Sequence, residues 1–296
     1  MFPELKQLIA AMKLSSPNKK IQKALPPKLL RYMAMASSAG IVNEPVDHAT
    51  DLIIGAFFFA MRACEYTWSS RKGKTKMVTM GGTKFFDTNR QEIPQEHHKR
   101  ILNAEYVWVL FEEQKNGERF ESRTQRRTDH NLLCPVRSFA RVVIRIRLFV
   151  NKHSRETPLC SINSKVQKSK FVSQTFTLHL LRRICSNYGG CRTFGFEEKE
   201  IGNKSVRSGA AMALFLMNHS AEHIMMLGRW KSKVFLDYIR PQVLQWIDLF
   251  SRDMISFDNF HELCLDQKDR RRNEGRSSRI ETLENLEIPS LMIQEF

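Results

Sequence analysis

The run Leu52-Ile53-Ile54-Gly55-Ala56-Phe57-Phe58-Phe59-Ala60-Met61 carries no charge on any side. A helix that is apolar all round offers water no face and has to be enclosed by other elements. The run is about half the length a bilayer demands, so it predicts a core helix and not a membrane span. We place that helix over Asp47 to Trp68, with Arg62 and Glu65 at its C-terminal end. A chain of 296 residues is long enough to bury it, as one large domain or two modest ones.

The charge balance points outward. Lys and Arg number 47 against 31 Asp and Glu, a formal net charge of +16. Such an excess says little about fold but predicts an anionic partner, nucleic acid or an anionic membrane surface. The opening residues lack the basic-then-apolar layout of a secretory signal. The six cysteines, at 64, 134, 160, 185, 191 and 264, contain no CxxC pair, so neither a zinc site nor a disulfide framework follows and reduced thiols are expected. The His97-His98 doublet reads as solvated loop, because adjacent side chains do not converge on one metal.

The pattern elsewhere is helical at both ends with strands between. Residues 1–27 form a basic lead-in. Leu29, Leu30, Met33 and Met35 suggest a helix over Lys28 to Ser37. Strand-like stretches follow at Lys76 to Met80 and Lys84 to Thr88, either side of Gly81-Gly82, and at Tyr106 to Phe111 and Arg119 to Thr124. Asn116-Gly117 between the last two is a strong hairpin signal, read as a two-residue type I′ turn. Helices return at Val136 to Val150, Thr177 to Cys185 (stopped by Gly189-Gly190), Glu197 to Gly202, Ser205 to Met217, and Ala221 to Leu227 with Ser220 as N-cap and Gly228 at the end. Further helices are expected after Ser232 and over Gln242 to Phe250. Met212, Met217, Met225 and Met226 read as core. The fold class is therefore mainly α with a small antiparallel sheet, α+β, over residues 28–255. Residues 256–296 read as a charged tail, with Arg270-Arg271-Arg272 as solvated residues, a nuclear signal or a DNA-contact arm.

One set of segments carries chemistry. Lys204-Ser205-Val206-Arg207-Ser208-Gly209-Ala210-Ala211 is followed by Leu227-Gly228-Arg229-Trp230 and then Asp237-Tyr238-Ile239-Arg240. Arg207 to Trp230 is 23 residues and Trp230 to Tyr238 is 8. Upstream stand Arg62 with Glu65 three positions on, and Lys115 at the hairpin turn. Together these resemble the catalytic domain of the tyrosine recombinases (phage integrase-like), and the wording is most similar to the eukaryotic, crypton-type subgroup of mobile elements. The likeness runs over about residues 25–255. Each box alone is weak; their order and predicted context make the set more specific.

The resemblance implies site-specific breakage and rejoining of double-stranded DNA by a DNA breaking-rejoining catalytic core, without metal or cofactor. Two guanidiniums, Arg62 and Arg207, would clamp the charge that builds on the phosphate oxygens. Tyr238 would be the nucleophile, forming a 3′-phosphotyrosyl link and freeing a 5′-hydroxyl. Lys115 would protonate that leaving oxygen. Trp230 would donate its indole N–H to a phosphate oxygen or pack against the Tyr238 helix, and Glu65 would orient Arg62. A homotetramer on DNA and a nuclear location follow from the same likeness. Lys204 stands where the family usually has His and is a poorer general base, which implies reduced activity. The family's N-terminal core-binding module is expected to be absent or cut short.

Plainer readings stay open beside these. Arg62 could cap a helix C-terminus, Lys115 and Lys204 could be solvated, Trp230 could be core, and Tyr238 could be an interfacial aromatic. At the level of function, the alternatives are a DNA-binding protein that keeps the fold without efficient turnover, a type IB topoisomerase-like relaxing activity, and a generic basic protein on RNA or a membrane surface.

Overall fold

The computed structural model describes residues 22–37, 44–70, 75–114, 117–163, 170–217 and 219–232. Lys115, Tyr238, the helices expected after Ser232 and over 242–250, the tail at 256–296 and most of the lead-in lie outside the described residues. The chain runs α1 (Pro27–Ala36), α2 (Pro45–Phe58), α3 (Ala63–Tyr66), β1 (Thr83–Phe86), β2 (Glu92–Ile93), α4 (His98–Leu102), β3 (Tyr106–Glu113), β4 (Arg119–Arg126), α5 (Pro135–Phe149), α6 (Gln174–Asn187), α7 (Gly190–Phe194), a 3₁₀ turn (Glu198–Glu200), α8 (Ser205–Leu216) and α9 (Ala221–Gly228). This is the α+β class expected, helices around one four-stranded antiparallel sheet of order β2-β1-β3-β4.

Proline opens α1, α2 and α5, where its missing N–H and fixed φ cost nothing. α2 is enclosed as its composition demands: Leu52, Ile53, Ile54 and Ala56 are fully buried. The amphipathic α5 supplies the main cover, with Phe59 and Phe139 edge to face at 5.5 Å. α5 also brings charge into the core. Arg141 and Arg145 both donate to the Asp51 carboxylate of α2, Arg145 Nη1 at 2.6 Å. In such an enclosed network the cost of desolvating the charges offsets much of their attraction.

His48 on α2 is wholly buried, its Nε2 2.7 Å from the Leu159 carbonyl oxygen. Burial first, and then the nearby Arg145 guanidinium, pull its pKa from 6.5 down to about 4. The unfolded chain takes up that proton near pH 6.5 and the folded chain only near 4. This contribution is therefore complete above pH 6.5 and shrinks as pH falls, by about 1.4 kcal/mol per pH unit. Between pH 7 and 4.5 the wild type should lose about 2–3 kcal/mol more than His48→Gln, followed by urea unfolding. Parallel losses in the two proteins would refute this account.

The sheet buries Phe85, Val107, Val109 and Phe111 on one face, in the register Phe85↔Val107 and Thr83↔Val109. Strand β4 pairs along β3 from Tyr106↔Arg126 to Glu113↔Arg119. The hairpin closes one residue wider than a two-residue turn. Gly117 N–H donates to the Gln114 carbonyl at 2.9 Å, Gln114 N–H donates to Glu118 at 3.0 Å, and Gly117 sits at φ +82°. Those bonds and that angle match the three-residue hairpin with a glycine bulge.

Three further expectations change. Lys76 to Met80 is not a strand of the sheet: the Lys76 N–H reaches the last residue of β3, Glu113, while those of Val78 and Met80 go to Glu65 and Thr157. The helix expected over Asp47 to Trp68 is two helices, because the chain reverses at Phe59–Arg62. Met217 and Met226 are 74% and 61% exposed, so the methionine group is not core. The end of the lead-in is bound in place. Leu25 N–H donates to Ser205 and Lys23 N–H to Glu200, and α8 approaches so closely that a Cβ on Gly209 would strike the Leu25 carbonyl. Among the described residues no helix is long and apolar enough to cross a membrane, and no three His, Cys, Asp or Glu side chains are grouped to hold a metal ion.

Candidate functional site

Two helix ends meet where the predicted site residues gather. α2 ends with Ala60 N–H on the Phe57 carbonyl (3.1 Å) and Met61 N–H on the Ala56 carbonyl (2.9 Å). α9 ends the same way, with Arg229 N–H on Met226 (3.4 Å) and Trp230 N–H on Met225 (3.0 Å). This paired closure needs one left-handed residue, usually glycine. Here the left-handed residues are Ala60 at φ +44° and Arg229 at φ +55°. A side chain in that conformation costs about 1–3 kcal/mol and persists only where surrounding contacts hold it.

Those contacts are visible. A helix C-terminus leaves carbonyls without intrahelical partners, and cations suit it. Gln125 Nε2 takes the Phe58 carbonyl at 2.7 Å, Arg229 Nη1 takes Phe59 at 3.2 Å, and Arg207 Nη1 takes Ala60 at 2.5 Å. Arg207 Nη2 donates also to the Gly228 carbonyl, so one guanidinium joins both helix ends. Its flat face lies over the Trp230 indole, 4.1 Å from the ring centroid. Arg207 therefore has a structural task at the place where the resemblance expects a phosphate ligand.

Gly228 serves this stack. Trp230 lies against its Cα, and a Cβ there would fall inside the indole. Gly228→Ala is expected to drive the ring off Arg207 and to cost about 1–3 kcal/mol in thermal or urea unfolding. In a Trp230→Ala background the same substitution should be nearly silent; an equal cost in both backgrounds would contradict this packing.

Arg62 does not end the long helix. It is the N-cap of α3, four residues past Phe58, and its guanidinium donates to Glu65 Oε1 (2.8 Å) and Gln114 Oε1 (3.1 Å). The Glu65 carboxylate also accepts from the Arg62 backbone N–H at 2.8 Å and from Arg229 Nη2 at 2.7 Å. Arg229 Nε also donates to Gln114 Oε1 at 3.1 Å, and the guanidinium stacks 3.5 Å from the Phe111 ring centroid. Burial, opposed by the Glu65 charge, lowers the Arg229 pKa to about 10, which leaves it cationic at neutral pH. The side chains of Arg229 and Glu65 are 0% and 1% exposed, against 19% for Arg62. Of the two arginines on Glu65, Arg62 is the one that reaches solvent.

The fold thus brings Arg62, Glu65, Arg207 and Trp230 around one reversal of the chain, from positions up to 168 residues apart. Lys204 is exposed at the start of α8, three residues before Arg207, and its backbone N–H donates to the Gln22 side chain at 3.0 Å. Lys115 and Tyr238 lie outside the described residues. Two residues that sequence reasoning did not assign, Arg229 and Gln114, sit at the centre. Their signals were slight: Arg229 stands between a helix-ending glycine and a tryptophan, and Gln114 precedes the hairpin turn.

No protein-family model matches the sequence, and no curated protein matches it. Among solved structures, the chain is similar to the XerH site-specific recombinase bound to difH substrate in a pre-cleavage complex, at 13% identity and a TM-score of 0.46. The superposition covers 76% of this chain and 52% of that one, so the chain spans about half the length of that recombinase.

Proposed function

We propose that this protein cleaves and rejoins double-stranded DNA as a tyrosine recombinase, through Tyr238. The observation that supports it is the convergence of Arg62, Arg207 and Trp230 on the Phe59–Arg62 reversal, as the three sequence boxes require. On this reading a backbone phosphate lies against Arg62, the solvent-reaching guanidinium, and Arg207 and Lys204 are its further cationic partners. Forked, planar donors suit the two non-bridging oxygens, and their stabilisation grows as charge develops there. The Tyr238 hydroxyl gives its proton to water, or to Lys204 in its neutral form, as its oxygen attacks phosphorus; the bond to the 5′ oxygen breaks, and Lys115 supplies the proton to that oxygen. The phosphoester bond energy is kept in the phosphotyrosyl link, so rejoining needs no nucleotide triphosphate. Four copies on two DNA sites, in the nucleus of a eukaryotic host, complete the reading.

Affinity for DNA should come mainly from the basic surface and fall steeply with salt. The second reading is a DNA-binding protein with the same fold and no turnover. What favours it is Arg207, whose guanidinium already serves two backbone carbonyls and a stacking partner.

Trapping separates the two. End-labelled duplexes with a random central sequence and a nick near the cleavage strand's end lose the short 5′-hydroxyl fragment once cut, which blocks rejoining. The recombinase reading expects a labelled band that survives detergent and disappears on protease treatment. Salt-sensitive binding without such a band selects the second reading, and no binding overturns both.

A further inference from the structure

Gln114 is a neutral side chain set among three charged ones, Arg62, Arg229 and Glu121. Gln114 is 2% exposed. Its Oε1 accepts from Arg62 Nη1 and from Arg229 Nε, each at 3.1 Å, and its Nε2 donates to Glu121 Oε2 at 2.5 Å. Its backbone N–H and carbonyl are the closing pair of the β3–β4 hairpin, bonded to Glu118 and Gly117. A guanidinium only donates and a carboxylate only accepts. An amide can present an acceptor to two arginines and a donor to a carboxylate at once, without taking up a proton. The same chemistry settles which way the amide points.

We infer that Gln114 is a positioning residue for the reaction, coupling the β3–β4 hairpin to Arg62 on one side and to the Arg229–Trp230 segment on the other. The inference rests on the recombinase reading for its effect on activity, but the coupling itself is a property of the fold. Arg62 has a long side chain with several rotamers, and Glu65 alone holds it from one side. Gln114 supplies the second hold, so that the guanidinium waits in one orientation. Small errors in such placement are costly in rate and cheap in binding.

Gln114→Met keeps the shape and removes both hydrogen-bonding functions. With the nicked random-sequence duplexes, its adduct rate should fall at least tenfold while DNA affinity stays within about twofold. Polarity reversal then distinguishes coupling from mere bulk. Gln114→Glu alone sets a carboxylate against Glu121. Gln114→Glu combined with Glu121→Gln restores a donor opposite an acceptor and still offers both arginines an oxygen. The double variant should recover the adduct rate to within about threefold of wild type and be faster than Gln114→Glu alone. A double variant no faster than that single one overturns the inference, as does a wild-type rate in Gln114→Met. A readout independent of catalysis is the rate at which phenylglyoxal modifies Arg62, followed by peptide mass. It should rise about fivefold or more in Gln114→Met and return in the double variant. If wild type forms no adduct yet this pattern holds, the recombinase reading fails and the coupling stands; unchanged Arg62 reactivity ends the coupling whatever the activity.

Discussion

Glu65→Ala is expected to cost the fold about 3–5 kcal/mol, the largest stability loss of any single substitution around the site. The reason is what stays behind. Glu65 receives the Arg229 guanidinium, the Arg62 guanidinium and the Arg62 backbone N–H. Arg62 can turn to water. Arg229, fully enclosed, cannot, and it keeps its charge at neutral pH. With the carboxylate gone, only the Gln114 oxygen and the Phe59 carbonyl remain to it in this network. Breaking a buried pair from one side is costly for this reason, whereas replacing both members by apolar groups is often close to neutral. Glu65→Ala with Arg229→Met should therefore be less destabilised than Glu65→Ala alone. Urea unfolding of the two variants tests both statements. A loss under about 1 kcal/mol in Glu65→Ala would show that Arg229 is compensated in some other way.

Tyr238→Phe is expected to abolish the covalent adduct, by about 10⁴-fold or more, with DNA affinity and melting temperature close to those of wild type. Phenylalanine keeps the ring and removes only the oxygen that would bond to phosphorus. Nothing else in the proposed mechanism can form that bond, so removing the nucleophile should leave no partial activity, unlike loss of a phosphate donor such as Arg62, where about 10²–10³-fold is typical. Quantifying the protease-sensitive band over a time course measures the difference. An adduct that persists in Tyr238→Phe places the nucleophile elsewhere, and mapping the labelled peptide would then identify it. The experiment also separates roles within the pair of arginines: Arg62 is free of the helix-closing duties of Arg207, so its substitution should affect rate more than stability.

The two results bear on different levels of the same arrangement. Ala60 and Arg229 occupy left-handed positions that chain sterics disfavour, and they are held there by arginines whose other bonds define the site. Strain of this kind gathers where surrounding structure over-determines the backbone. It also explains the division of labour. The innermost arginine neutralises a carboxylate, the next closes two helix ends, and the outermost reaches solvent.

Much of this was legible before the fold was known, and the reasons are local. Periodic apolar spacing located α1, α5, α6 and α8, and Ser220 capped α9 as expected, its Oγ accepting from His223 N–H at 3.2 Å. The apolar Leu52–Met61 run required enclosure and received it. Asn116-Gly117 announced a hairpin, though the turn closes one residue wider. Arg207, singled out by one of the sequence boxes, caps the Ala60 carbonyl two residues before Arg62 and lies over Trp230.

What neighbouring residues could not reveal depends on partners distant in the chain. The reversal after Phe58 has no glycine or proline to mark it, because its stability comes from Gln125, Arg207 and Arg229, 67 to 170 positions away. The stretch at Lys76–Met80 has strand composition, but its N–H groups meet three separate segments. Arg229 looks like an ordinary surface cation until Glu65, 164 positions away, is placed against it. Backbone propensity and amphipathic pattern act within a few residues and so can be read along a chain. Charge pairing and carbonyl capping act in space, and no spacing of letters encodes which ends will meet.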